Sequence, residues 1–142
     1  DLVICSIHQN LKMTEEKAMS RLVGAISHPA TRIIGHPSGR LLASRPAYPV
    51  DYSQLIEACK KYNVVIEINA NPRRLDLDWE WIQLAIQNGV LLSINPDSHN
   101  IEGIDDIRFG VLAAQKGMLT ASHNLSSFSL IQFEEFLKKK KS

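Results

Sequence analysis

The sequence predicts an α/β protein, a partial βα barrel of about four βα units followed by a C-terminal helix. Three observations carry this reading. Four apolar, β-branched runs, Leu2 to Ile7, Arg32 to Gly35, Val64 to Ile68 and Leu91 to Ile94, recur at spacings of about 30 residues. Each reads continuously apolar, as parallel strands covered on both faces do, and each is followed by a helical segment. Every run also ends in polar, ligand-type residues. A doubly wound sheet is the competing architecture, but it gathers its ligands at one switch point. A βα barrel sets them out along the C-terminal rim of all its strands.

The elements follow in order. The first strand is already under way at Asp1-Leu2-Val3-Ile4-Cys5, with no methionine or lead-in, which predicts a piece of a longer polypeptide. Thr14 caps the first helix, with Glu15 and Glu16 in the opening turn where the macrodipole favours anions, and Ala18, Leu22, Val23 and Ile26 forming its inward stripe. Asp51 with Gln54 resembles a capping box for the second helix, which carries Leu55, Ile56, Cys59 and Tyr62 inward. Asp78 or its neighbour opens the third, and Gly89 stops it. Asp105 or Asp106 opens the fourth through Ile107, Val111 and Ala114, and Gly117 stops it. Ser129 begins a last amphipathic helix with Leu130, Phe133, Phe136 and Leu137. Its Lys138 to Lys141 tail suits a helix C-terminus and reads as a solvated end in preference to a nucleic-acid arm.

Composition narrows the class. A chain of 142 residues with 44% hydrophobic and 22% charged content is ordinary for one globular domain. A net charge of +1 gives no global argument for nucleic acid or a membrane surface. Cys5 and Cys59 have neither CxxC spacing nor a framework of pairs and read as reduced, buried residues. No apolar run approaches the roughly 18 residues that span a bilayer, so a cytoplasmic location without a membrane partner is expected.

The polar strand ends carry the chemistry. Asp97-Ser98-His99 sets an oxygen and a nitrogen donor at i and i+2, which extended backbone points to one face; a polar turn with an Asp cap is the competing reading. His36, in Gly35-His36-Pro37-Ser38-Gly39-Arg40, ends the second strand, and His8 ends the first. Either alone could be a hydrogen-bonded structural histidine. Recurrence on three of four strand ends points to metal ligation by His8, His36, Asp97 and His99. His28 and His123 fall outside this pattern and read as surface residues. Lys12 and Arg40 lie just beyond His8 and His36, where cations meet a phosphate, with solvated loop charges as the alternative. Glu67 and Asn69 share one face of the third strand, and the sequence leaves open whether that face is the barrel interior. Gly-rich phosphate loops and a Ser-His-Asp order are absent, so nucleophilic side-chain catalysis has little support.

Ser6-Ile7-His8-Gln9-Asn10, Lys12-Met13, Gly35-His36-Pro37-Ser38-Gly39-Arg40, Tyr48-Pro49-Val50-Asp51, Glu67-Ile68-Asn69-Ala70-Asn71-Pro72, Arg74-Leu75-Asp76 and Asp97-Ser98-His99 together resemble the C-terminal half of the PHP (polymerase and histidinol phosphatase) domain. The version resembled is that attached to bacterial family X DNA polymerases, and the similarity covers residues 1–142 almost throughout. It implies a distorted seven-stranded βα barrel with up to three zinc or manganese ions at its C-terminal rim. It further implies a 3′-5′ exonuclease or phosphoesterase acting on DNA 3′ ends in repair. By resemblance His8 and His36 would serve one ion, Asp97 a second and His99 a third; Asp97 and His99 would be catalytic, and Lys12, Arg40 and Asn69 would bind substrate. Further family ligands come from an early His-x-His motif, from an earlier strand-end Glu and from a later Asp and His, and none precedes Asp1. The chain alone is therefore expected to be weakly active or inactive. Pro96 stands where the family more often has a small polar residue. A non-catalytic DNA-positioning module and a histidinol-phosphate-type phosphatase are the alternatives. A half barrel exposes two strand edges, so self-association is also expected.

Overall fold

The computed structural model describes residues 2–139. Four strands, β1 (Val3–Cys5), β2 (Thr31–Ile34), β3 (Val65–Asn69) and β4 (Leu92–Asn95), alternate with α1 (Glu15–Ser27), α2 (Tyr52–Tyr62), α3 (Trp79–Gln87) and α4 (Ile107–Lys116), and α5 (Leu130–Lys138) follows. All strand pairings are parallel and the order is β1-β2-β3-β4. Strictly sequential order has no switch point, so this is the wall of a partial barrel and not a doubly wound sheet.

The helix boundaries follow from local chemistry. Thr14 accepts from the Lys17 amide and Asp51 from the Gln54 amide, each closing an otherwise unpaired N-terminal donor. Ser129 and Gln132 form a complete capping box. Asp78 occupies the N-cap of α3 but makes no cap bond, because its carboxylate takes the Arg40 guanidinium at 2.7 Å. Gly89 follows the Asn88 C-cap with φ 74°, as expected. At the end of α4 the left-handed residue is Met118, φ 60°, and not Gly117. Gly117 is required for another reason: a Cβ there would lie 2.6 Å from Ile82, so it sets how closely α4 approaches α3.

The main core lies between the sheet and α1 to α4. Ala18, Leu22 and Ile26 of α1, Leu55, Ile56 and Cys59 of α2, Ile82 and Ala85 of α3, and Ile34, Ile66, Ile68 and Leu92 of the sheet are buried together. A smaller cluster of Ile33, Val65, Leu125 and Phe136 packs α5 on the other face. Some apolar stripes are narrower than the sequence suggests. Val23 and Tyr62 are half-buried, while Ile107, Val111 and Leu130 are exposed. Strand β1 is not covered on both faces, with Val3 and Ile4 exposed. The opposite edge is blunted, because Ser126 Oγ accepts from the Ile94 amide at 3.0 Å and donates to the Ile94 carbonyl at 3.1 Å. Of the two edges expected to be open, only β1 is so among the described residues. Asp1, Lys140 and Lys141, part of the predicted first strand and lysine tail, lie outside the described residues. Among the described residues neither Cys5 nor Cys59 forms a disulfide, and no helix is long and apolar enough to cross a membrane.

Candidate functional site

The site forms where the strands run out. Period-2 alternation puts Glu67 and Asn69 on one face of β3, and the parallel register places Asn95 of β4 beside Asn69. That face is the interior rim. The Glu67 carboxylate ties three strand ends together: Oε2 accepts from the His36 amide at 2.6 Å and from Asn69 Nδ2 at 3.1 Å, and Oε1 accepts from Asn95 Nδ2 at 2.9 Å. Burial raises its pKa above the ordinary carboxylate value, against the pull of those donors.

Of the histidines expected in the site, His8 and His36 meet. Their rings lie 5.0 Å apart, centroid to centroid, nearly perpendicular. Ser6 Oγ is 2.7 Å from His8 Nε2, which helps set that ring's orientation. His36 is buried, and its Nδ1 has no hydrogen-bond partner, an unusual state for an imidazole nitrogen within a protein. Burial, and then the nearby Arg74 cation, lower its pKa, which favours the neutral imidazole that a metal ion needs. His36 and Asp97 also hold positive φ, 27° and 53°, each just beyond a strand. Non-glycine residues rarely occupy this region, and such strained backbone concentrates at functional sites.

Asp97 joins the same network through Asn69, whose Nδ2 reaches Asp97 Oδ2 at 3.1 Å, and through Arg74 Nε at 3.3 Å. His99 is exposed, with Nδ1 2.8 Å from the Asp97 carbonyl, and it lines a cavity of about 440 Å³ with Asn71, Arg73 and Asp97. The turn at Asp97, φ 53°, breaks the extended backbone on which the i and i+2 expectation rested, yet Asp97 and His99 both line that cavity. Lys12 is exposed near the end of β1. Arg40 is turned into the protein, with Nη1 on Asp78, Nε on the Arg74 carbonyl at 2.8 Å and Nη2 on the Leu75 carbonyl. His28 is exposed and His123 half-buried, both away from these contacts.

Two residues without an assigned role in the sequence reading belong here. Asp76 is buried and accepts from the Ser38 amide at 3.0 Å, the Ser38 hydroxyl at 2.9 Å and the Gly39 amide at 3.0 Å, clamping the loop after His36. Burial pushes its pKa up to about 6. Arg74 is the other. The signal for both was present in Arg74-Leu75-Asp76, a charged triplet between two apolar elements, but their partners lie more than twenty residues away.

A metal centre can be tested against these donors. A neutral imidazole with a buried, unpartnered nitrogen, edge-on to a second imidazole, is a donor pair of the right chemistry. Among the described residues, however, no group of three or more His, Cys, Asp or Glu side chains is gathered as a cation requires. The chain fits part of a metal centre and not a whole one.

Comparison with known proteins agrees with the motif pattern. Over 139 residues, 98% of its length, the chain is 45% identical to the DNA polymerase/3′-5′ exonuclease PolX of Bacillus subtilis, of which it spans 24%. It is 39% identical over 72 residues, 49% of the chain, to a probable phosphatase of Caldanaerobacter subterraneus, of which it spans 26%. It is 28% identical over 107 residues, 70% of the chain, to a probable phosphatase of Clostridium novyi, of which it spans 41%. The chain thus spans well under half the length of these relatives. No protein-family model matches it. Taken with the parallel half-barrel wall, these similarities match the chain to the PHP region of a PolX-type polymerase.

Proposed function

We propose that this chain supplies the C-terminal rim of a metal-dependent phosphoesterase that acts as a 3′-5′ exonuclease on DNA ends in repair, within a longer DNA polymerase. The supporting observation is the His8–His36 pair with its orphaned nitrogen, set on strand ends that also hold Asp97. In this reading His8 and His36 hold one zinc or manganese ion, Asp97 and His99 serve as further ligands and catalytic groups, and up to three ions occupy the intact centre. Asn69 orients the Asp97 carboxylate, Lys12 meets substrate phosphate, and Arg40 braces the loop that carries Arg74. Because three-donor groups are missing among the described residues, the remaining ligands come from elsewhere in the longer polypeptide and the chain alone is inactive. The open β1 edge is where those further strands pair, and a second copy of the chain is what would occupy it otherwise.

The same shortage of ligands favours a second reading, a PHP module that positions DNA without hydrolysing it. One experiment separates the two. The intact protein carrying this chain is assayed for removal of nucleotides from a labelled DNA 3′ end, beside its His36→Ala variant and with elemental analysis of both. Metal-dependent trimming that is lost with His36 supports the enzyme. A parent without bound metal or trimming supports the scaffold, and trimming that survives the substitution refutes the assigned role of His36.

A further inference from the structure

We propose that Arg74 is the cation that receives a substrate phosphate at this site, an assignment that rests on the phosphoesterase reading. The two arginines near the rim are differently employed. Arg40 has Nε, Nη1 and Nη2 all bonded to protein, to the Arg74 carbonyl, Asp78 and the Leu75 carbonyl. Its guanidinium is a bracket for the segment that carries Arg74. That segment is further held by a turn: the Arg74 amide donates to the Asn71 carbonyl at 2.8 Å, and the Leu75 amide to the same oxygen at 3.0 Å.

Among the described residues the Arg74 side chain makes one ion pair, Nε to Asp97 Oδ2 at 3.3 Å. Its Nη1 is buried without a partner. A guanidinium offers five donors in a planar fork, and leaving them unpaired away from water is costly unless an anion completes the set. The side chain retains 17% exposure, so the fork is not sealed from a ligand. Three buried side-chain polar atoms lack partners among the described residues, and two of them, His36 Nδ1 and Arg74 Nη1, belong to this rim. An unpartnered imidazole nitrogen and an unpartnered guanidinium donor on one rim suit a site for a cation and a phosphate oxygen. A backbone anchored by Arg40 with a fork left open at Arg74 suits bidentate recognition of a phosphodiester, which a lysine's point charge does not reproduce.

The test uses the intact protein and its Arg74→Gln and Arg74→Lys variants in chelator-treated, metal-free buffer, with the dinucleotide dTpT and inorganic phosphate as calorimetric probes. Arg74→Gln is expected to weaken dTpT binding by about tenfold and to reduce the salt dependence by about one phosphate contact. Arg74→Lys restores the salt dependence but only part of the affinity. In the metal-loaded protein the same variants raise KM more than they lower kcat. If Arg74→Gln does not fold, Arg74→Lys, which keeps the charge on Asp97, carries the comparison. Parent-like affinity in whichever variants fold overturns the assignment and leaves a trimming parent an exonuclease. Weakened affinity with a parent that does not hydrolyse DNA supports Arg74 and overturns the exonuclease reading instead.

Discussion

Glu67→Ala is the sharpest probe of how the rim is held. The carboxylate is the shared acceptor for the His36 amide, Asn69 Nδ2 and Asn95 Nδ2, at 2.6, 3.1 and 2.9 Å. Removing it leaves three donors, two buried and that of Asn95 half-buried, without this acceptor, at about 1–3 kcal/mol each where no water replaces it. Two relaxations lower the sum. The Asn amides can rotate toward other acceptors, and a carboxyl whose ionisation burial already disfavours is no longer carried. A net loss of about 3 kcal/mol remains, which for a chain of this length lowers the midpoint of thermal unfolding by about 6–12 °C. Glu67→Gln keeps one acceptor oxygen for the His36 amide and costs about 1 kcal/mol. Urea unfolding of the chain and both variants, followed by circular dichroism, measures the difference. A Glu67→Ala variant within about 0.5 kcal/mol of the parent, the scale of an ordinary surface substitution, would show that the carboxylate is not the knot that ties β2, β3 and β4.

Further outcomes follow from neighbouring contacts. Burial lifts Asp76 from the ordinary carboxylate value of 3.8 to about 6 in the folded chain, so its contribution is fully present below about pH 4 and is lost as pH rises through 6, a change of about 3 kcal/mol. The stability of Asp76→Asn minus that of the parent therefore rises across this window, and parallel pH profiles would contradict it. Arg40→Ala removes the bracket on the Arg74 and Leu75 carbonyls and leaves Asp78 unpaired in a half-buried setting. It is expected to cost about 1–3 kcal/mol in unfolding free energy and to weaken trimming by the intact protein; a neutral result would release Arg40 from its bracing role. A Cβ at Gly110 would stand 2.6 Å from Ala70 and Ile94 side-chain atoms, so Gly110→Ala forces α4 away from the sheet at about 1–3 kcal/mol. Unchanged denaturation by urea would mean that α4 seats less tightly than its contacts indicate.

The parallel architecture was legible because each strand's β-branched run and each cap is a local signal: Thr14, Asp51 and Ser129 all cap as their neighbours suggest. Where the reading departed, the deciding partner lay elsewhere in the chain. Gly117 has the residue type of a helix stop, yet its role is steric, against Ile82. Asp78 has the residue type of a cap, yet Arg40, nearly forty positions earlier, takes its carboxylate. Ile107, Val111 and Leu130 kept helical spacing and still face outward, since periodicity tells which residues share a face and not what covers it. At the rim, the strand-end rule brought His8, His36, Glu67, Asn69 and Asp97 to one edge. It missed Arg74 and Asp76, whose importance comes only from the turn that folds residues 71–76 back across β3.

The central claim is that His8 and His36 form one side of a metal site. An anomalous-difference map of the intact protein, recorded at the zinc and manganese absorption edges from crystals grown with those ions, tests it most directly. The account predicts a peak within bonding distance, about 2.0–2.2 Å, of one ring nitrogen from each of His8 and His36. Peaks confined to other residues, with these two imidazoles bonded only to protein or water, would contradict it.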